Sequence, residues 1–453
     1  LPLFLLPSSF FLLPSSLLPM LELFSSGVVS LWLQMSGVNR VINNGAQRAS
    51  WQVGLPSFVI SNDSDSHAVQ TMQQYIKDLS AKGLAQGAQG IWLSSNGRVL
   101  ATRQEKLLMP GASLTKIATS LTALQMLGPN YQWETRLRTT GLIKNGVLQG
   151  DLIIEGFGDP LFVWEEAIAL GNNLNQLGIT GVTGNLIVTG NFFMNYEKNP
   201  LVAGELFRLA LDSPRWAPEI ISWYSKMPPG TKKPQVTISG LVTSQKSPVG
   251  GRLLLRRRSL RLVEILKQMN VHSDNDLAQL LADQLGGAKV VQKHAIALTG
   301  IPEKELNLIN GSGLGEENQM TAKTACSLFE TFQRYLQNSP LTIADFFPMA
   351  GRDKGTIEHR HIPKNAVVKT GTLDNIIALA GILPTQKQGL VCFAIINRGN
   401  DWDGLRSEQD VFLQNLVKLW GTSPTLSPSL KPHINGNLPG YGKRDRTIFP
   451  SSY

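Results

Sequence analysis

Cysteine is almost absent: Cys326 and Cys392 are the only two in a chain of 453 residues. Two cysteines cannot build a disulfide framework or a thiolate zinc centre, and each sits in an apolar stretch of the kind that is buried. Histidine is scarce too, six in all. His359 and His361 lie two apart without a third ligand cluster, and they read as surface residues, not a metal site. There is no G-x-S-x-G elbow, no aromatic-interleaved basic stretch and no nucleic-acid module, which removes nucleic acid as a partner. Charge is not gathered into long runs either. The net charge is +9, and the densest patch is Arg252, Arg256, Arg257, Arg258 and Arg261. That patch is read in the first place as a solvated face beside a domain boundary, and in the second as an attraction to an anionic membrane or wall surface.

The termini lack the marks of ordered structure. Phe4–Phe10 and Phe11–Leu17 form a near-exact repeat, and Pro2, Pro7, Pro14 and Pro19 remove backbone donors that a spanning helix needs. Met20 or Met35 is the expected true start. The uncharged stretch Leu23–Asn39 is long enough for a signal or anchor, but Glu22 precedes it and no basic residue does, so it makes a poor secretory signal. Residues 1–61 are therefore set aside as a repeat and candidate signal or anchor segment. Residues 422–453 are rich in Pro, Gly and Ser and read as a disordered tail.

What is present is a trio of short motifs in order: Ser113-Leu114-Thr115-Lys116, Ser273-Asp274-Asn275 and Lys369-Thr370-Gly371-Thr372. Met109-Pro110-Gly111-Ala112 precedes Ser113, an apolar proline-free run follows it, and Gly128-Pro129 closes the run. This predicts one helix with Ser113 in its first turn. Residues three apart share a helix face, so Lys116 reaches Ser113 Oγ and can take its proton if burial and positive neighbours depress the lysine pKa. Backbone N–H groups at the helix start favour developing negative charge. Ser273 and Asn275, on a loop opening a helix, can point into one cleft, Ser273 to relay a proton and Asn275 to bond a substrate amide. A plain helix cap is the alternative for that motif, and both readings are compatible.

The third motif opens a β-rich stretch, with Ile376–Leu383 and Leu390–Asn397 as an antiparallel hairpin and the Lys-Thr-Gly segment as a strand beside it. There Lys369 and Thr370 would supply donors for a terminal carboxylate. Gly371 would let a substrate backbone approach, and the Thr372 N–H would complete an oxyanion hole with that of Ser113. Each motif alone is commonplace. Together and in order they form the signature of serine enzymes that are acylated by β-lactams.

At this point the chain resembles the low-molecular-mass class C penicillin-binding proteins, D-alanyl-D-alanine carboxypeptidase/endopeptidases with a domain inserted between the first two motifs. The likeness runs from about Trp92 to Trp420. It includes Leu127-Gly128-Pro129, Gly150-Asp151-Leu152, Gly158-Asp159-Pro160, Gly184-Asn185-Leu186-Ile187-Val188, Asn310-Gly311-Ser312-Gly313-Leu314, Gly355-Thr356-Ile357 and Ala380-Gly381. Asn310 stands where the family usually has Asp, and Asn191 where it usually has an acidic residue, so only the three motifs are carried over as catalytic.

The resemblance implies an α/β (α+β) transpeptidase-like fold: a five-stranded antiparallel sheet flanked by helices, formed by residues 62–140 plus 251–421. The long interval between Ser113 and Ser273 leaves room for an insert of about 100 residues, placed at 141–250 and read as β-rich. It also implies acyl transfer on the D-Ala-D-Ala end of peptidoglycan stem peptides, without a cofactor, in the periplasm or cell envelope, with β-lactam antibiotics as covalent inhibitors. A serine β-lactamase and a non-catalytic wall-binding scaffold are the alternatives.

Overall fold

The computed structural model describes residues 64–434 and 446–450, apart from 86, 248 and 249. The repeat and the candidate signal or anchor segment lie outside the described residues. One five-stranded sheet organises the catalytic part, in the order Val367–Leu373, Ile376–Pro384, Leu390–Arg398, Gln89–Ser95, Arg98–Arg103, with every neighbouring pair antiparallel. Its central strands are apolar nearly throughout because both faces are covered. Ile376, Ala378, Ala380 and Ile382 point into a cluster with helices Thr115–Leu127 and Ala322–Tyr335. Ile377, Leu379 and Leu383 point the other way, into a cluster with helices Ser66–Ala81 and Trp402–Trp420. Tyr75 and Phe412 stack there at 4.7 Å between ring centroids.

The helix that carries the first motif is Thr115–Leu127, whose first ten residues are all buried. Such a helix has no polar face to spend on solvent, so its lysine must be held by specific partners. Gly128 ends it. The Lys-Thr-Gly strand lies at the edge of the sheet. Val368 N–H donates outward to Pro348 O at 2.9 Å, and the unbroken pairing of Val367–Leu373 with Ile376–Ile382 then carries the N–H groups of Thr370 and Thr372 to the same open edge.

The inserted part rests on two sheets. The larger has the order Val242–Gln245, Leu186–Asn191, Leu152–Phe157, Glu134–Thr139, Arg252–Arg258, Thr447–Ile448. Glu134–Thr139 and Arg252–Arg258 are antiparallel neighbours, so the chain enters and leaves the insert side by side. Both framing strands lie outside residues 141–250. The strands Leu152–Phe157, Leu186–Asn191 and Val242–Gln245 run parallel to one another, which requires crossovers; helices Trp164–Gln176 and Pro200–Leu211 lie in them, and helix Pro218–Tyr224 is a third. Only the first of these helices was legible as periodicity. The other two begin with Pro at their first turn, a helix-start signal that the surrounding polar and proline-bearing sequence obscures.

One expectation, the disordered tail over 422–453, is corrected here. Residues 422–434 are ordered: Leu430 is fully buried, and the N–H groups of His433 and Ile434 each donate to Asp345 at 2.7 Å. Thr447–Ile448 adds a strand beside Arg252–Arg258, and Arg446 pairs with buried Glu166. Proline and serine content hid these anchors, which depend on single buried contacts. The cysteines are buried as expected, and they are joined as a Cys326–Cys392 disulfide from helix Ala322–Tyr335 to strand Leu390–Arg398.

The arginine patch is broken up by the fold. Arg257 is buried and pairs with Glu166 at 2.5 Å, while Arg261 closes a capping box with Glu264.

Candidate active site

Ser113 lies in a short 3₁₀ turn, Ala112–Leu114, that leads directly into the helix Thr115–Leu127. It does not cap that helix. Its Oγ lies instead 2.9 Å from Lys116 Nζ. Ala112, just before it, has φ +46°, a left-handed conformation uncommon for a residue with a side chain and typical of functional turns. Gly313 makes this turn possible. A Cβ there would stand 1.8 Å from Ala112 O, and its own φ is +84°.

Lys116 is fully buried. Besides Ser113 its Nζ donates to Asn275 Oδ1 at 2.7 Å and to the backbone oxygen of Ser312 at 2.8 Å. Burial lowers its pKa to about 7, while the Asp274 carboxylate pulls the other way. Two of its three partners are acceptors only. A neutral amine that donates to both keeps its lone pair for the Ser113 hydroxyl, the arrangement a general base needs. Sequence reasoning paired Lys116 with Ser113 but missed Ser312, because a backbone carbonyl leaves no residue-type signal. The turn that presents it is held by Asn310, whose Oδ1 accepts from Ser312 N–H, Ser312 Oγ and Gly313 N–H; Asn serves there as Asp would.

Ser273 is the C-cap that follows helix Leu262–His272 and has φ +56°. Asp274 caps the next helix, Asn275–Gln284, accepting from Leu277 N–H at 2.9 Å. The cap in this motif is thus supplied by Asp274, which leaves Ser273 and Asn275 facing the cleft. Tyr196, from the inserted part, donates to the other oxygen of Asp274 at 2.6 Å.

Lys369 is fully buried as well. Its Nζ donates to Ser273 Oγ at 2.9 Å and to Thr370 O at 2.7 Å. Burial holds its pKa well below the usual lysine range, and Lys116 adds to the depression. It stands behind the cleft wall, with Ser273 and Thr370 of that wall as its partners. Gly371 lines the cleft and also packs against the nucleophile turn. A Cβ there would lie 3.1 Å from Ala112 Cβ and 3.2 Å from Gly111 O, so the missing side chain lets the nucleophile turn close on the strand.

Ser113, Ser273, Asn275, Thr370, Gly371 and Thr372 line one open cleft of about 890 Å³. Thr356 lines the cleft next to Thr370, and its Oγ1 accepts from Thr370 Oγ1 at 2.9 Å. The loop bearing Thr356 is anchored by a buried pair, Lys267 Nζ to Asp353 at 2.7 Å, with Ala344 O and Phe347 O as further acceptors. His359 and His361 are exposed and form the outer end of the cleft. Among the described residues no cluster of three or more His, Cys, Asp or Glu could hold a metal ion. The cleft thus presents an activatable serine at a helix start, a buried base, a hydroxyl backed by a second buried amine, and a strand edge with outward N–H groups.

The model of the D-Ala-D-Ala carboxypeptidase 3 (S13) family matches residues 68–201 and 231–416. A D-alanyl-D-alanine carboxypeptidase DacB of Haemophilus influenzae is 23% identical over 436 residues, covering 74% of this chain and 90% of that protein. The fold matches the structure of penicillin binding protein 4 from H. influenzae in complex with a β-lactam (TM-score 0.60, 21% identity, 77% of this chain and 99% of that one). It also matches a penicillin G-acylated predatory endopeptidase, Bd3459, of Bdellovibrio bacteriovorus (TM-score 0.60, 21% identity, 74% and 92%).

Proposed function

The chain belongs to the D-Ala-D-Ala carboxypeptidase 3 (S13) family, and from that premise we propose that Ser113 is the residue acylated when the enzyme cleaves the D-Ala-D-Ala end of a peptidoglycan stem peptide. The protein is a serine-type D-alanyl-D-alanine carboxypeptidase, a hydrolase with penicillin-binding and endopeptidase relatives. The family membership decides against the β-lactamase reading. The single observation that carries the residue assignment is the Ser113–Lys116 contact at 2.9 Å, with both other Lys116 partners unable to donate a proton.

In this reading neutral Lys116 takes the Ser113 proton as Oγ attacks the carbonyl carbon of the penultimate D-Ala. The oxyanion forms at the strand edge, where the Thr372 N–H and the Ser113 N–H receive it. Ser273, held by Lys369, hands its hydroxyl proton to the departing amine and is refilled with the proton that Lys116 took from Ser113, so the C–N bond breaks, D-Ala leaves and Lys116 is neutral again. Water then enters, gives a proton to Lys116 as it attacks the ester, and that proton returns to Ser113 Oγ as the shortened peptide is released. Asn275, whose Oδ1 is occupied by Lys116, turns its amide nitrogen to a substrate carbonyl.

The inserted part, taken as residues 134–258, reaches the catalytic part at Tyr196–Asp274 and Lys198–Asp283 and serves large wall fragments. A cell-wall substrate places the enzyme in the envelope or periplasm. The Cys326–Cys392 disulfide fits such an oxidising compartment.

Release of D-Ala from a free-acid stem pentapeptide, and of monomers from a cross-linked dimer, tests this reading. Both activities should vanish after one equivalent of penicillin. Hydrolysis that persists at full penicillin occupancy would place the chemistry elsewhere.

A further inference from the structure

We propose that Arg406 is the specificity residue that recognises the substrate's terminal carboxylate, together with the hydroxyls of Thr370 and Thr372. This rests on the peptidase reading above and names the part of the cleft that makes it a carboxypeptidase. A terminal carboxylate needs a cation or a set of aligned donors on the cleft wall. Lys116 and Lys369 are fully buried, and their side-chain bonds run to Ser113, Asn275, Ser312, Ser273 and Thr370.

Two arginines line the cleft, Arg360 and Arg406. Arg360 is committed to the fold. Its Nε lies 3.1 Å from each Asp410 oxygen, and its Nη2 bonds Asp410 at 2.8 Å, Gln409 and the Arg406 carbonyl at 3.2 Å. Arg406 is placed differently. Its Nη2 donates to Thr372 Oγ1 at 3.2 Å and its Nη1 to Asp403 at 3.3 Å. The Asp403 side chain is 97% exposed, so water screens that pair and a ligand carboxylate can compete with it. A guanidinium presents five N–H donors in a planar fork suited to a carboxylate.

Sheet alternation brings the other two donors to the same place. Val368 and Ile377 point into the cluster that holds Leu405 and Phe412 of the helix Trp402–Trp420. Thr370 and Thr372, two and four residues after Val368 on an unbroken strand, direct their side chains to that face as well. Lys369 and Gly371 point to the opposite face, towards the nucleophile. The edge strand thus divides the labour: one face activates the serine, and the other, with Arg406, holds the leaving group by its carboxylate.

The test compares kcat/KM for a D-Ala-D-Ala peptide and its C-terminal amide, and acylation rates for a penicillin and its methyl ester, in native, Arg406→Ala and Arg406→Lys enzymes. Arg406→Ala should lower kcat/KM for the free acids by about 10- to 100-fold, the range of one charge-assisted hydrogen bond. The amide and the ester should stay within about threefold, so the preference for a free acid collapses. Arg406→Lys should fall between, and methylguanidinium should restore part of the lost rate with the acids only. If the alanine variant does not fold, Arg406→Gln, which keeps the stem and a donor to Thr372, carries the same expectation. A free-acid preference that survives Arg406→Ala or Arg406→Gln, or an equal fall for acid and amide, would overturn the assignment. A native protein that neither releases D-Ala nor takes penicillin would overturn the peptidase reading itself, and this proposal with it.

Discussion

Lys369 Nζ lies 2.9 Å from Ser273 Oγ, and its side chain is sealed behind the strand that bears it. On the mechanism proposed above, the lysine acts on the reaction through Ser273, not by touching the leaving carboxylate. Lys369→Ala should cost about 2.7–4 kcal/mol of transition-state stabilisation, the scale of removing one preorganised donor from a dry site. The loss should be equal for a free-acid peptide and its amide. A loss confined to the free acid, measured as kcat/KM, would restore Lys369 as the carboxylate ligand.

The pH dependence follows from Lys116. Below about pH 7 it carries three protons and no lone pair, so it cannot accept the Ser113 proton; above that value it can. The rate of acylation by penicillin should therefore fall about tenfold per pH unit below 7. Asp274 favours the charged lysine, so Asp274→Asn should shift the acidic limb to lower pH while asparagine still caps the helix at Leu277. A limb that stays in place, or moves up, in stopped-flow acylation would exclude Lys116 as the base.

Much of this was legible in the chain. Ser113 and Lys116 share a helix turn, and the pattern of apolar runs after Lys369 reads directly as a strand beside a hairpin. The five-stranded sheet followed from the family likeness those residues carry. What was not legible depends on contacts between distant segments. The Ser312 carbonyl has no side-chain signature. Arg406 is one of many arginines until the helix Trp402–Trp420 is laid against the strand of Thr372. The parallel strands of the insert look like any Gly-bounded apolar strand until their crossovers are seen. Residues 422–453 read as a tail because composition reports solvation, whereas buried Leu430 and the Asp345 carboxylate fix residues 422–434.

Gly313 offers a stability test tied to the site. Gly313→Ala places a Cβ 1.8 Å from Ala112 O in a backbone with φ +84°, so the turn before Ser113 must move. Destabilisation of at least about 1–3 kcal/mol is expected from backbone strain alone, and acylation should slow by about 100-fold, the scale of a 1 Å misplacement. Chemical denaturation and acylation kinetics on the same sample check this. Unchanged acylation by a folded Gly313→Ala protein would show that the turn tolerates displacement.

The most direct measurement is the mass of the protein after brief exposure to benzylpenicillin, followed by peptide mapping. One adduct should form, on the peptide that holds Ser113, and Ser113→Ala should show none while its melting temperature stays within the small change expected for losing one half-buried hydroxyl. An adduct on any other residue, or on the Ser113→Ala protein, would contradict the assignment of the nucleophile.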